Sequence, residues 1–260
     1  MSELPVPLLD GTGDSIVRQR GTLYELTPWM PGEADYHTSP SAQRLSAAVT
    51  TLARFHSAVE TYPRDSDTTG PRCSPGLLQR RDKLDRLLHG ELDRLAAAVA
   101  GYRDPQINQR GRRLLEFFRG SSGNVRQLLG NAARLKVALQ PCIRDVWHDH
   151  VLFTGNEVTG LIDFGALRHD NVAIDLARLI GSLVGDREAD WSAALRVYAA
   201  QRPLSADENL LIRAFDQSGV LMSGLNWLQW ICVEGTQFDN QQQILRRLDE
   251  NLRRIEHLCG

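Results

Sequence analysis

Residues 143–165 read IRDVWHDHVLFTGNEVTGLIDFG. Two apolar, β-branched runs, VLF (151–153) and VTGLI (158–162), are separated by the turn-like TGNE, which is a hairpin signal. A tight hairpin brings the loop before its first strand close to the loop after its second. Here those loops carry Asp145 and Asp163. Two convergent carboxylates can bind a hard cation such as Mg²⁺, or divide into a base and a metal ligand. The stretch decides the fold because it interrupts a chain that is otherwise patterned for helices.

Outward from it, the first thirty residues are β-rich. PVPLL, SIVRQR and TLYELT are short runs separated by the turn clusters DGTGD and RG, and a small antiparallel meander is expected. TPWMPG (27–32) follows as a rigid connector and hinge. From Ser41 the apolar residues Leu45, Val49, Leu52 and Phe55 recur at helical spacing, with Ser39 or Ser41 as the cap. Residues 75–100 form a second long helical pattern, and two more fall near 107–119 and 122–139. Past the hairpin, helices resume from about Ala173 with IDLARLIGSLV and DWSAALRVYAA. Ser205 opens SADE, a capping box with Glu208 at its third position. The last segment, 238–258, repeats Ile244, Leu248, Leu252 and Ile255 on one face. The expected fold is α+β: a small β piece, a hinge, and a mostly helical body with one internal β hairpin. The loop DGTGDS (10–15) reads as a plain hairpin turn, since Asp10 and Asp14 flank its glycines and would repel phosphate.

Composition excludes several classes. The chain of 260 residues carries a formal charge of −2 and a pI near 6.4, so no basic excess points to nucleic acid and no charge block to a membrane surface. The four cysteines, Cys73, Cys142, Cys232 and Cys259, form no CxxC pair, and a reduced, cytoplasmic protein is expected. MSELPVPLLD lacks the basic and apolar regions of a signal peptide. Lys83 and Lys136 are the only lysines, so arginine supplies nearly all the positive charge.

The 143–165 stretch resembles the protein-kinase pattern H-R-D-x-x-x-x-N followed by D-F-G. The match is Ile143-Arg144-Asp145, then His150, then Asp163-Phe164-Gly165. More specifically, IRDVWHDHVLF, TGNEVTGLIDFG and IDLARL resemble the signature of the aminoglycoside phosphotransferase family, which includes choline-kinase-like and homoserine-kinase-like enzymes. ELTPWMPG (25–32) and ARFH (53–56) look similar as well. The resemblance implies a protein-kinase-like fold with residues 1–27 as the remnant of a β-rich N-terminal lobe, 28–32 as the hinge and 33–260 as the helical lobe. It implies transfer of the γ-phosphoryl group of ATP (or GTP), with Mg²⁺, to a small-molecule hydroxyl. Asp145 would be the catalytic base, Asp163 a metal ligand, and Asp175 a brace for the catalytic loop. Glu25, Leu26, Thr27 and Trp29 of the connector would meet the adenine edge. His150 stands where the family has an asparagine as second metal ligand, and Ile143 where it has a histidine. With no lysine before Lys83 and about 25 residues before the hinge, an incomplete N-terminal lobe is expected.

Two other readings compete. His148 and His150 in an extended segment would point to one side and, with a carboxylate, form a metal-dependent hydrolase site. The chain could also be a kinase-like binding or regulatory module. Trp227 and Trp230, three apart with Glu234 beyond, read first as core and otherwise as the wall of an acceptor pocket.

Overall fold

The structure is a computed structural model that describes residues 2–62, 70–238 and 240–259. In chain order it runs β1 (Ile16–Gln19), β2 (Thr22–Glu25), α1 (Ala42–Val59), α2 (Pro75–Arg86), α3 (Leu92–Ala100) and α4 (Pro105–Ala132). There follow β3 (Gln140–Cys142), β4 (Val151–Thr154), β5 (Glu157–Leu161) and β6 (Arg168–Asp170). The helices α5 (Ala173–Val184), α6 (Glu188–Gln201), α7 (Ala206–Leu228) and α8 (Gln241–Cys259) complete it. The α+β class and the single hairpin among helices are as expected from the sequence.

The chain divides into two compact units. The first comprises Met1–Pro63, Gln140–Arg168 and Arg178–Pro203; the second comprises Arg64–Leu139, His169–Ala177 and Leu204–Gly260. The connector 28–32 lies inside the first unit.

In the first unit, β1 and β2 pair antiparallel from Ile16↔Glu25 to Gln19↔Thr22, and every residue of both strands is exposed. PVPLL does not join them as a strand. Pro5 and Pro7 have no N–H to give to a ladder, and Leu8 makes one bond, its N–H donating to the Leu26 carbonyl at 2.8 Å. Helix α1 starts where Ser41 accepts from the Arg44 N–H at 3.1 Å, and it buries Leu45, Val49, Leu52 and Phe55 as the spacing demands. Its His56 is fully buried, bonded through Nδ1 to the Tyr198 hydroxyl of α6 at 2.7 Å.

The connector is stitched to the β4–β5 hairpin. Glu33 pairs with Phe153 in both directions, and the Thr159 hydroxyl donates to the Pro31 carbonyl at 2.7 Å. Thr159 is available because the register slips between Leu152 and Phe153, a bulge that re-aims one side chain. Gly32 sits at φ +100, and a Cβ there would fall 2.3 Å from the Thr159 hydroxyl and 2.8 Å from the Phe153 carbonyl. Only glycine permits both the conformation and the approach.

Behind this seam lies Arg44, 2% exposed. Its guanidinium donates to the Asp35 carboxylate, to the Ser39 carbonyl at 2.8 Å and to the Asp35 carbonyl at 3.3 Å. It also stacks 4.2 Å from the centre of the Phe153 ring. One buried cation therefore ties the 35–39 turn, α1 and β4 together.

In the second unit, the 75–100 pattern is two helices. Gly90 at φ +121, beside the non-helical His89, breaks it. Conversely, the two helices expected at 107–119 and 122–139 are one, α4, capped by Asp104 with Pro105 at its first position. Ser121 and Ser122 are buried, and Val125 and Leu129 continue the apolar face set by Leu114 and Phe118. Packing there outweighs the poor helix propensity of the Gly-Ser-Ser-Gly run. The helix stops at Ala132 because Val137 bonds Arg72 in both directions at 2.9 Å. Ser205 and Glu208 make both bonds of the expected capping box at the start of α7. The carboxylate of buried Asp170 accepts from the Ser74 hydroxyl at 2.5 Å and the Gly76 N–H at 2.9 Å, at the N-terminus of α2. No helix among the described residues is long and apolar enough to cross a membrane.

Candidate active site

The hairpin pairs Val151 with Leu161, and the ladder continues one step further, the Ile162 N–H donating to the His150 carbonyl at 3.0 Å. That extra rung draws the loop holding Asp145 toward the one holding Asp163. A single imidazole then spans them. His150 Nδ1 lies 2.7 Å from the Asp145 carbonyl, and its Nε2 lies 3.5 Å from Asp163 Oδ2. The Asp145 backbone carbonyl, the His150 ring and the Asp163 carboxylate are therefore neighbours.

The imidazole has a third partner. The Trp147 indole N–H donates to His150 Nε2 at 2.8 Å. A carbonyl only accepts, so Nδ1 carries the ring proton and Nε2 presents its lone pair to the indole. The lone pair that a metal would use is thus already engaged. His150 supports the loop by holding the Asp145 backbone on one side and Trp147 on the other.

The two carboxylates are half-exposed, 51% for the Asp145 side chain and 57% for that of Asp163. Asp163 has φ +64 and Arg144, just before Asp145, has φ +68. Non-glycine residues in the left-handed region carry strain, and such residues cluster at functional sites. The Gly165 N–H donates to Asp163 Oδ1 at 3.3 Å, while Oδ2 lies beside His150 Nε2. Phe164 packs its ring 5.7 Å from that of Phe55 on α1 and so anchors the loop.

A half-exposed carboxylate held by a backbone N–H fits a Mg²⁺ ligand, because that ion prefers oxygen and retains several waters. His150, as oriented, does not fit: its nitrogen is the wrong donor for Mg²⁺ and accepts from Trp147. The hydrolase reading required a different geometry. Residues 148–150 form one 3₁₀ turn rather than an extended strand. His148 Nε2 lies 3.2 Å from Asp149 Oδ1, with its ring 4.3 Å from that of His37, whereas His150 faces Trp147 and Asp163.

Glu25 ends β2, and Leu26, Thr27 and Trp29 follow in an exposed connector, with Trp29 97% exposed. The Leu26 carbonyl already accepts from Leu8. Asp175 is fully buried in the first turn of α5. In the 10–15 loop, Asp10 Oδ1 accepts from the Thr12 N–H at 2.8 Å, the Thr12 hydroxyl at 2.7 Å and the Asp14 N–H at 3.0 Å. The Thr12 hydroxyl and these backbone donors hold the Asp10 carboxyl below its ordinary pKa. The N–H groups a phosphate would need are turned onto this carboxylate. A groove of 680 Å³ on α1, lined in part by Glu3, Gln43, Thr50 and Arg54, includes none of the candidate residues. Trp227 is half-buried and Trp230 is 41% exposed, their rings 5.3 Å apart.

Sequence reasoning gave no role to Arg178 and Ser182 on α5. The Ser182 hydroxyl accepts from the His148 N–H at 3.0 Å, and Arg178 Nη2 meets Asp145 Oδ1 at 3.2 Å. Their i, i+4 spacing, which puts both on one helix face, was the available signal.

A kinase-like core, with two acidic loops joined at the base of a hairpin, defines a phosphotransferase fold. The phosphotransferase enzyme family model matches residues 2–209, and the chain belongs to that family of aminoglycoside-phosphotransferase and choline-kinase-like proteins. Among solved structures, an aminoglycoside phosphotransferase from Alicyclobacillus acidocaldarius superimposes with a TM-score of 0.64 at 16% identity, covering 98% of this chain and 76% of the other. Spectinomycin phosphotransferase APH(9)-Ia, solved with ADP and spectinomycin, gives 0.61 at 12% identity, covering 99% and 78%. Amicoumacin kinase hAmiN, solved with AMP-PNP and Ca²⁺, gives 0.55 at 14%, covering 96% and 72%. Comparison with curated proteins returned no match.

Proposed function

We propose that this chain transfers the terminal phosphoryl group of ATP or GTP to a hydroxyl of a small molecule. The observation that carries the reading is the last rung of the β4–β5 ladder, the Ile162 N–H donating to the His150 carbonyl, which brings the loop of Asp145 and the loop of Asp163 to one end of the hairpin. The names of the similar structures, an aminoglycoside, a spectinomycin and an amicoumacin phosphotransferase or kinase, support a small-molecule acceptor.

Asp145 is the base. Its free oxygen takes the proton of the acceptor hydroxyl as the new O–P bond forms. The bond from the γ-phosphorus to the bridging oxygen breaks, and its electron pair leaves with the nucleoside diphosphate. Asp163 would hold the cation, and the Gly165 N–H fixes the orientation of its carboxylate. When bound there, Mg²⁺ supplies charge neutralisation on the phosphate oxygens. The His150 ring holds the Asp145 carbonyl, and Trp147 keeps that ring turned.

The test is nucleotide consumption, with ³¹P NMR of the product, across aminoglycosides, amino alcohols, hydroxy amino acids and sugars. Acceptor-dependent turnover should fall by about 10²–10⁴-fold in Asp145→Asn, the range for a general base. Turnover surviving within a few fold in that variant would overturn the assignment.

A further inference from the structure

Helix α5 is buried along nearly its whole length, yet one turn after Asp175 it places Arg178 in solvent. An exposed arginine needs no explanation on an amphipathic helix. This one is exposed toward something: its Nη2 contacts Asp145 Oδ1 at 3.2 Å, and its guanidinium carbon lies 5.6 Å from the centre of the Trp147 ring. That distance is within the range of a cation–π contact. One turn on, Ser182 holds the backbone of the same loop through the His148 N–H at 3.0 Å.

We infer that Arg178 is a positioning residue for the base Asp145. The inference rests on the phosphotransfer reading above. The loop is fixed at three points, each acting on a different part. His150 holds the Asp145 carbonyl, Ser182 holds the His148 N–H, and Arg178 holds the Asp145 side chain by one carboxylate oxygen. Without Arg178, a carboxylate that is 51% exposed has freedom about its side-chain torsions and meets the acceptor hydroxyl in only part of its population. With it, Oδ1 is occupied and Oδ2 is left for the acceptor. Trp147 gives the guanidinium a flat surface that restricts its own motion. The same indole donates to His150, so the fixings of Asp145's carbonyl and of its side chain share one residue.

A half-exposed ion pair contributes little to folding, whereas misplacing a catalytic group by about an ångström costs up to about 10²-fold in rate. The two effects are therefore separable by experiment. In Arg178→Gln, kcat should fall about 10- to 100-fold with the KM for nucleotide unchanged and the melting temperature close to that of the parent. Arg178→Lys should recover part of the loss, since it restores the charge but not the planar fork. In Arg178→Ala, millimolar ethylguanidinium should restore part of kcat, a rescue that a purely structural role would not give. A kcat for Arg178→Gln within about twofold of the parent would overturn the inference, as would a loss confined to nucleotide KM or the absence of rescue by both Lys and guanidinium. If the parent shows no phosphoryl transfer to any acceptor, the functional reading itself fails and this inference falls with it.

Discussion

Replacing Arg44 by methionine should destabilise the first unit while keeping the volume of its interior. Three hydrogen-bonding partners are lost: the Asp35 carboxylate, the Asp35 carbonyl and the Ser39 carbonyl. Hydrogen bonds to a charged group contribute roughly 1.5–3 kcal/mol each in favourable settings. Two corrections reduce the total. The Asp35 side chain is 37% exposed and recovers water when the cation leaves. The cost of burying the guanidinium also disappears, and methionine keeps a favourable contact with the Phe153 ring, roughly 0.3–1.5 kcal/mol. The net loss is about 2–4 kcal/mol, with the two stranded carbonyls as its main source. For a chain of this size, that corresponds to a fall of roughly 5–12 °C in melting temperature. Thermal unfolding by circular dichroism, with the Asp35→Asn single and double variants completing a cycle, measures it. Asp35→Asn alone should cost less than Arg44→Met, because it leaves the bonds to the two carbonyls in place. A loss below about 1 kcal/mol for Arg44→Met would refute the clamp, placing it with ordinary surface substitutions.

Trp147→Phe removes the donor on His150 Nε2 and frees its lone pair. Turnover with Mg²⁺ should drop while activity with Co²⁺ or Mn²⁺, ions that accept imidazole more readily, falls less; an unchanged metal preference would count against the pairing. Gly76→Ala would set a Cβ 2.5 Å from Asp170 Oδ2 and 3.0 Å from Ile174 Cδ1, and urea titration should show a loss of about 2–3 kcal/mol from this overpacking. A neutral result would mean that the Asp170 contact yields easily. Burial pushes the Cys232 thiol up to about 11. The folded state then keeps its proton where an unfolded thiol, with a pKa of about 8.5, has lost it. Stability contributed at Cys232 is thus present below that value and declines as pH rises toward 11. Mass-resolved alkylation at Cys232 should titrate near 11, and a midpoint near 9 would contradict the burial.

The hairpin was legible because strand alternation and a four-residue turn constrain geometry locally. The Ser205–Glu208 box and the Ser41 cap were legible for the same reason: both bonds lie within four residues. What the sequence hid depends on distant partners. Arg178 meets Asp145 thirty-three positions away, and no local pattern marks an arginine on a buried helix as a carboxylate's neighbour. His150 occupies an asparagine's place in the family pattern, which suggests a ligand; its engagement by Trp147 is a matter of ring orientation, which spacing does not encode. The fused α4 shows tertiary burial of Ser121, Ser122, Val125 and Leu129 overriding the glycines on either side. The proline-rich PVPLL misled in the opposite direction, since its hydropathy suits a strand and its missing donors do not.

If Asp163 holds the cation and Asp145 takes the acceptor's proton, calorimetric titration of AMP-PNP with and without Mg²⁺ separates the two roles. Asp163→Ala should weaken the Mg²⁺-dependent part of nucleotide binding by about tenfold or more, while Asp145→Asn binds the nucleotide like the parent protein yet fails to turn it over. Equal nucleotide binding by all three proteins in the presence of Mg²⁺ would contradict the account.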